Sequence, residues 1–164
     1  EAVDDGAHIL FSYHGLPLSH VRRADSTRSH CQKVDDCCST ACSANAMCYA
    51  HHCHLTTAAV VEALGLPNDR WSLSYQSRIG PVKWLTPATT TMVEELAARG
   101  VTNVAVVAPA FVVDGLETLE ELEIELRKTF MEAGGKSFRV VPCLNDEPTW
   151  VAGVHSLIER AFAA

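Results

Sequence analysis

No glycine-rich phosphate loop occurs in this sequence. Neither a GxGxxG spacing nor a P-loop is found among its nine glycines, so no nucleotide site is indicated. Positive charge is scarce as well: 13 Lys and Arg stand against 20 Asp and Glu, a net charge of −7, and no basic run gathers them. That argues against a nucleic-acid surface. No apolar run approaches the roughly 18 residues of a spanning helix, and the first residues lack the basic-then-apolar pattern of a secretory signal. A soluble, unprocessed chain is therefore expected. What is present is 164 residues at 48% apolar content, enough to bury the core of one α/β domain. A disordered chain and a disulfide-stapled mini-protein are both excluded.

The cysteines carry more information in their placement than in their number. Six of the seven (Cys31, Cys37, Cys38, Cys42, Cys48 and Cys53) fall within 23 residues, and only Cys143 lies elsewhere. Secreted domains spread their cysteines to tie distant segments, whereas this clustering points to thiolates converging on one centre. No CxxC occurs, which weakens a zinc-ribbon or thioredoxin-like reading. Four thiolates at irregular spacing suit a 2Fe-2S cluster. Three readings compete with it: zinc held with help from His30, His51, His52 or His54, local disulfides, and metal-free thiols. A cluster would also order a loop that has few large apolar residues.

Elsewhere, short β-branched or aromatic runs alternate with helical patterns. Strands are predicted at 8–13, 72–77, 103–109 and 138–142, and helices at 54–64, 89–99, 116–133 and 147–162. Gly65, Gly100 and Gly134 stand where C-terminal glycine caps belong. Strand-helix units in series predict an α/β fold with a four-stranded parallel sheet, helices on both faces, in a Rossmann- or flavodoxin-like arrangement. Ligands of such sheets bind beyond the C-terminal strand ends.

Two features fall at those ends. His14 follows the first strand in HGLP, and an imidazole there can titrate near neutrality or ligate a metal. Segment 114–125 holds six acidic residues and no basic one. On a helix Glu117, Glu121 and Glu125 form a row roughly 12 Å long on one face. The opposite face, with Leu116, Leu119, Leu122, Leu126 and Phe130, is that of any amphipathic surface helix. Yet carboxylates at i, i+4 repel one another, and a divalent cation would relieve them. His14 and Glu117 follow the first and third strands, neighbours in a flavodoxin-like order, so both face one crevice if that order holds.

Four motifs, FSYHGLP (11–17), SYQSRIGPVKWLTPAT (74–89), VAPAFVVDGLETLEELEIE (107–125) and GGKSFRVVPCLN (134–145), resemble the C-terminal half of ferrochelatase in the same order. The resemblance implies insertion of Fe2+, as substrate, into a porphyrin (protoporphyrin IX), with loss of two protons in haem biosynthesis. It implies that His14 and Glu117 are the catalytic pair, that Glu121 and Glu125 continue the acidic row as an iron or proton path, and that Trp84 and Phe111 line the porphyrin pocket. It further implies a π-like helix near the site, which turns the carboxylates inward. The cysteine-rich stretch at about 30–53 resembles the internal 2Fe-2S-binding insertion of some bacterial members, with four of its six cysteines as ligands.

Gly115 stands where many members have a histidine, so a second imidazole is not expected. Residues 1–164 correspond to the C-terminal domain alone, and the family's N-terminal half is the expected partner, without which the domain is expected to be inactive. The expected location is the cytoplasm, with peripheral membrane contact left open. An iron-sulfur or metal-binding module without chelatase activity, or another type II chelatase half, is the alternative. QSRIG with Trp84, Pro87 and Thr89 favours the iron enzyme.

Overall fold

A computed structural model describes residues 5–163. The sheet has four parallel strands, β1 (His8–His14), β2 (Trp71–Gln76), β3 (Asn103–Val107) and β4 (Ser137–Val140), in the order β2-β1-β3-β4. β1 is central, with Ile9 opposite both Trp71 and Ala105. A strand paired on both sides and covered on both faces must be apolar throughout, and β1 is buried along its length up to His14.

Side chains alternate across a strand, so β1 divides the core in two. Ile9, Phe11 and Tyr13 pack with Val21 of α1 (Leu18–Ala24) and with Ala50 and Cys53 of α2 (Tyr49–Leu64). Leu10 faces the other way, towards Val93 and Leu96 of α3 (Thr89–Ala98) and Leu122, Leu126 and Phe130. These last three belong to one long helix, wound as a π-helix over Glu117–Leu126 and continued by α4 (Arg127–Glu132). Each fully buried Leu or Phe contributes roughly 1.5–3 kcal/mol relative to exposure. Glycines 65, 100 and 134 all adopt positive φ just past α2, α3 and α4, as the capping pattern predicts.

The expected fold class and strand order hold, with differences at the edges. α1 is not predicted by the sequence, and α2 begins at Tyr49 rather than at residue 54, drawing Cys53 into a helix. The predicted 116–133 helix is π-wound over Glu117–Leu126, as the resemblance implies. α5 (Pro148–Ala163) lies where the last helix is expected but buries none of its residues. Val151, Val154, Ile158 and Phe162 recur at helical spacing along it, and Phe162 is 89% exposed.

His8, buried at the start of β1, bonds Ser72 Oγ through Nε2 at 2.9 Å. Burial first, then Arg99 and Arg70, pushes its pKa down to about 4. A histidine that resists protonation only when folded withdraws stability as pH falls from about 6.5 towards about 4. Melting temperature is expected to drop progressively across that window, and His8→Gln to flatten the dependence; an unchanged slope in the variant would assign it elsewhere.

Candidate active site

His14 ends the central strand and is half-buried. Its Nδ1 lies 2.7 Å from the Gly15 carbonyl oxygen. A carbonyl only accepts, so in the neutral ring Nδ1 carries the proton and Nε2 keeps its lone pair. The next peptide is tightly held: Gly15 N–H donates to the Gln76 carbonyl at 2.8 Å, and a Cβ at Gly15 would stand 2.7 Å from that oxygen. Only glycine fits there.

Glu117 opens the π-helix. Its backbone carbonyl accepts from Gln76 Nε2 at 3.0 Å, and Gln76 Oε1 accepts from Ser12 Oγ at 2.7 Å. Ser12 Oγ also lies 2.9 Å from Thr89 Oγ1, which in turn lies 3.0 Å from Ser74 Oγ. This buried polar chain joins β1, β2 and α3 to the helix that carries Glu117, and each member is satisfied, as burial requires. Ahead of the helix, Asp114 accepts from Asn145 Nδ2 at 2.8 Å and Thr118 Oγ1 at 2.9 Å, while its own N–H donates to Asn145 Oδ1 at 2.9 Å. The Asn145 amide, followed by the contact with Cys143, holds the Asp114 carboxyl below its ordinary value. The loops after β3 and β4 are thereby locked together.

A cleft of about 810 Å³ opens beyond the strand ends and is lined by His14, Gln76, Ser77, Glu117, Glu121 and Glu125, among others. Imidazole and carboxylate row thus share one crevice. The row is graded: Glu117 and Glu121 are half-buried and Glu125 is exposed. Glu121 is already engaged, because Ser77 N–H and Oγ–H donate to its two oxygens at 2.6 and 2.5 Å. Ser77 adopts φ +62 to do so, an uncommon conformation for a residue with a side chain.

Trp84 and Phe111 do not line this cleft. Phe111 lies beside His14, ring centroids 6.3 Å apart. Trp84 pairs with Pro17 across an isolated bridge behind Gly15, and its buried indole Nε1 has no hydrogen-bond partner. Ser12, Gln76, Ser77 and Asp114 escape the sequence argument. The signal was available for the first two, since polar residues in strands buried on both faces need a reason.

The cysteine-rich segment folds against the first core face. Cys31, Cys37, Cys48 and Cys53 are buried, Cys38 is half-buried and Cys42 exposed. All seven cysteines are free thiols, which overturns the disulfide reading. Cys37 and Cys38 Sγ are 3.9 Å apart, and Gln32 N–H donates to Cys37 Sγ at 3.3 Å. Burial, followed by neighbouring thiols, pushes Cys31 and Cys38 up to about 12. Among the described residues no group of three or more His, Cys, Asp or Glu side chains is arranged to hold a metal ion.

Two buried polar side chains order this loop. Asp25 accepts from Thr27 Oγ1 (2.6 Å), Thr27 N (2.9 Å), His30 N (2.8 Å) and Cys31 N (3.0 Å), and these bonds, led by the Thr27 hydroxyl, hold it far below the usual carboxylate range. Asn45 ties Cys37 O, Thr40 O and Cys42 N at 2.8–3.0 Å. His30, His51 and His52 each spend one ring nitrogen on a backbone carbonyl at 2.9–3.1 Å.

A family profile described as Ferrochelatase matches residues 1–162. Among similar proteins, the ferrochelatase of Ectopseudomonas mendocina (strain ymp) is 49% identical over 155 residues, covering 94% of this chain and 45% of the relative. That of Pseudomonas fluorescens (strain Pf0-1) is 46% identical over 158 residues, with 96% and 46% covered. That of Opitutus terrae is 46% identical over 144 residues, with 88% and 42% covered. The chain spans about half the length of the curated relatives it matches. A solved structure of a cobalamin (vitamin B12) biosynthesis CbiX protein from Marinobacter aquaeolei VT8 superposes with a TM-score of 0.51 at 13% identity, covering 94% of this chain and 96% of that one, which is a likeness of fold.

Proposed function

The chain belongs to the ferrochelatase family, and we propose that it supplies the metal-inserting side of a site that places Fe2+ in a porphyrin, protoporphyrin IX, completed by the N-terminal half found in its longer relatives. The observation that carries this reading is the single cleft onto which His14, Glu117, Glu121 and Glu125 all open.

The reaction exchanges one Fe2+ for two pyrrole N–H protons. Two barriers oppose it in water: the cation must shed its hydration shell, and the ring must expose nitrogen lone pairs. The exposed Glu125 meets hydrated iron at the mouth, and carboxylate oxygens replace its waters stepwise inward. At the inner end, His14 Nε2 has a free lone pair and Glu117 offers a carboxylate, so between them they present iron and take up the two protons. Ser77 clamps both Glu121 oxygens, so Glu121 fixes the helix rather than swinging with the cation. Phe111, against the His14 ring, and Trp84, behind Gly15, bound the porphyrin side in this reading. The uncovered apolar stripe of α5 gives the N-terminal half a surface to bury.

Four cysteines of the set Cys31, Cys37, Cys38, Cys42, Cys48 and Cys53 hold a 2Fe-2S cluster in this proposal. Support comes from the donor type: Cys37 and Cys38 Sγ lie 3.9 Å apart, and the Gln32 backbone N–H already points at Cys37 sulfur. The cluster would supply one-electron chemistry and a brace for the loop; the insertion steps above run through His14 and the carboxylates. No helix among the described residues is long and apolar enough to cross a membrane. The proposed setting is the cytoplasm, with peripheral membrane contact through the other half.

The test is an iron-insertion assay of this chain with and without the N-terminal half of a relative. Haem formation by the combination alone is expected. Inactivity of the combination, with porphyrin bound, would overturn the reading. Visible absorption bands bleached by dithionite are expected of the purified chain; a colourless zinc protein would remove the cluster.

A further inference from the structure

The His14 carbonyl has a partner that the insertion chemistry leaves unused. Tyr49, the first residue of α2, donates its hydroxyl to that oxygen at 2.8 Å, across 35 positions of sequence. The peptide between His14 and Gly15 is thereby held at both ends, its oxygen by Tyr49 and its N–H by the Gln76 carbonyl at 2.8 Å. The orientation of that peptide decides where the Gly15 oxygen lies, and this oxygen is what the His14 Nδ1 proton reaches at 2.7 Å.

Because a carbonyl only accepts, the phenol must be the donor, which leaves its own oxygen free to accept. Cys48, wholly buried immediately before Tyr49, wedges the first turn of α2 between the cysteine-rich segment and the end of β1.

We propose that Tyr49 is a positioning residue for His14: it fixes the His14–Gly15 peptide and with it the Nδ1–H tautomer of the ring. The functional weight of this link rests on reading His14 as a proton acceptor, which needs Nε2 unprotonated, but its test needs no turnover. In 15N-histidine-labelled chain, with the His14 signals assigned by their loss in H14Q, the Nδ1–H form is expected to dominate. Y49F is expected to shift the tautomer ratio about fivefold towards Nε2–H, the scale of one neutral hydrogen bond.

T57V removes the hydroxyl contact between Tyr13 and Thr57 that also docks α2 on β1, at 2.8 Å, and should leave the ratio alone. An unchanged ratio in folded Y49F or an equal shift in T57V would each overturn the proposal. If Y49F does not fold, the unmodified chain decides the matter, because a dominant Nε2–H form there would overturn it outright. Normal turnover of H14Q in the assembled enzyme would instead defeat the reading of His14 while leaving the Tyr49 link standing.

Discussion

Glu117→Gln in this chain, combined with the N-terminal half, is expected to lower iron-insertion turnover by about 10²–10⁴-fold, the usual contribution of a positioned proton-transfer group. The amide keeps the size and shape of the carboxylate but holds neither its charge nor its proton affinity. The fold has little stake in that carboxylate, because the bond anchoring the helix start runs from Gln76 to the Glu117 backbone carbonyl. Melting temperature should therefore stay close to that of the unmodified chain while turnover collapses. Turnover within about twofold of the original, with the variant folded, would remove Glu117 from the mechanism.

The largest effect on stability is expected of Gly135→Ala. A Cβ there would stand 2.2 Å from Phe130 Cε1 and 2.3 Å from Cδ1, well inside contact distance. The ring cannot retreat, since Phe130 is fully buried and packs against Phe138 with centroids 5.7 Å apart. Gly135 N–H is also fixed to the Phe130 carbonyl at 3.0 Å. Overpacking of this kind costs about 3 kcal/mol. For a chain of this size that corresponds to a fall of roughly 6–12 °C in melting temperature. Phe130→Leu in the same background should recover part of the loss, and a Gly135→Ala chain as stable as the parent would contradict the packing described for the second core.

The central strands and the crevice were legible because their signals are local and redundant. Runs such as HILFSY and NVAVV have no helical reading that would leave a polar face, and the glycines at 65, 100 and 134 mark helix ends by a backbone need. From the order of strands, His14 and Glu117 had to share an edge, and they line one cleft. The π-winding at 117–126 was not readable from residue pattern, since Leu116, Leu119 and Leu122 suit an ordinary helix equally well; it entered through resemblance. α1 was hidden by its polar composition, LSHVRRA, with Val21 its one buried residue. The first turn of α2 was hidden by histidines that bond loop carbonyls.

The order of the cysteine-rich loop has a source besides the cluster its composition suggests. Large apolar residues are few there, yet Asp25 and Asn45 satisfy seven loop donors and acceptors between them. Such hubs are invisible in sequence because Asp and Asn are ordinary loop residues. Trp84 and Phe111 show the same limit from another side. Aromatic character marks them as wall material, but which wall depends on the turn at Gly15 and on the loop after β3.

In the proposed mechanism His14 and Glu117 work at one reacting centre, and a double-mutant cycle on insertion turnover with H14Q, E117Q and the pair measures that coupling. Groups that act as a unit are strongly non-additive, so the double variant should lose little more than the worse single one. Losses that multiply, in folded variants, would place the two side chains in separate steps and contradict a shared site.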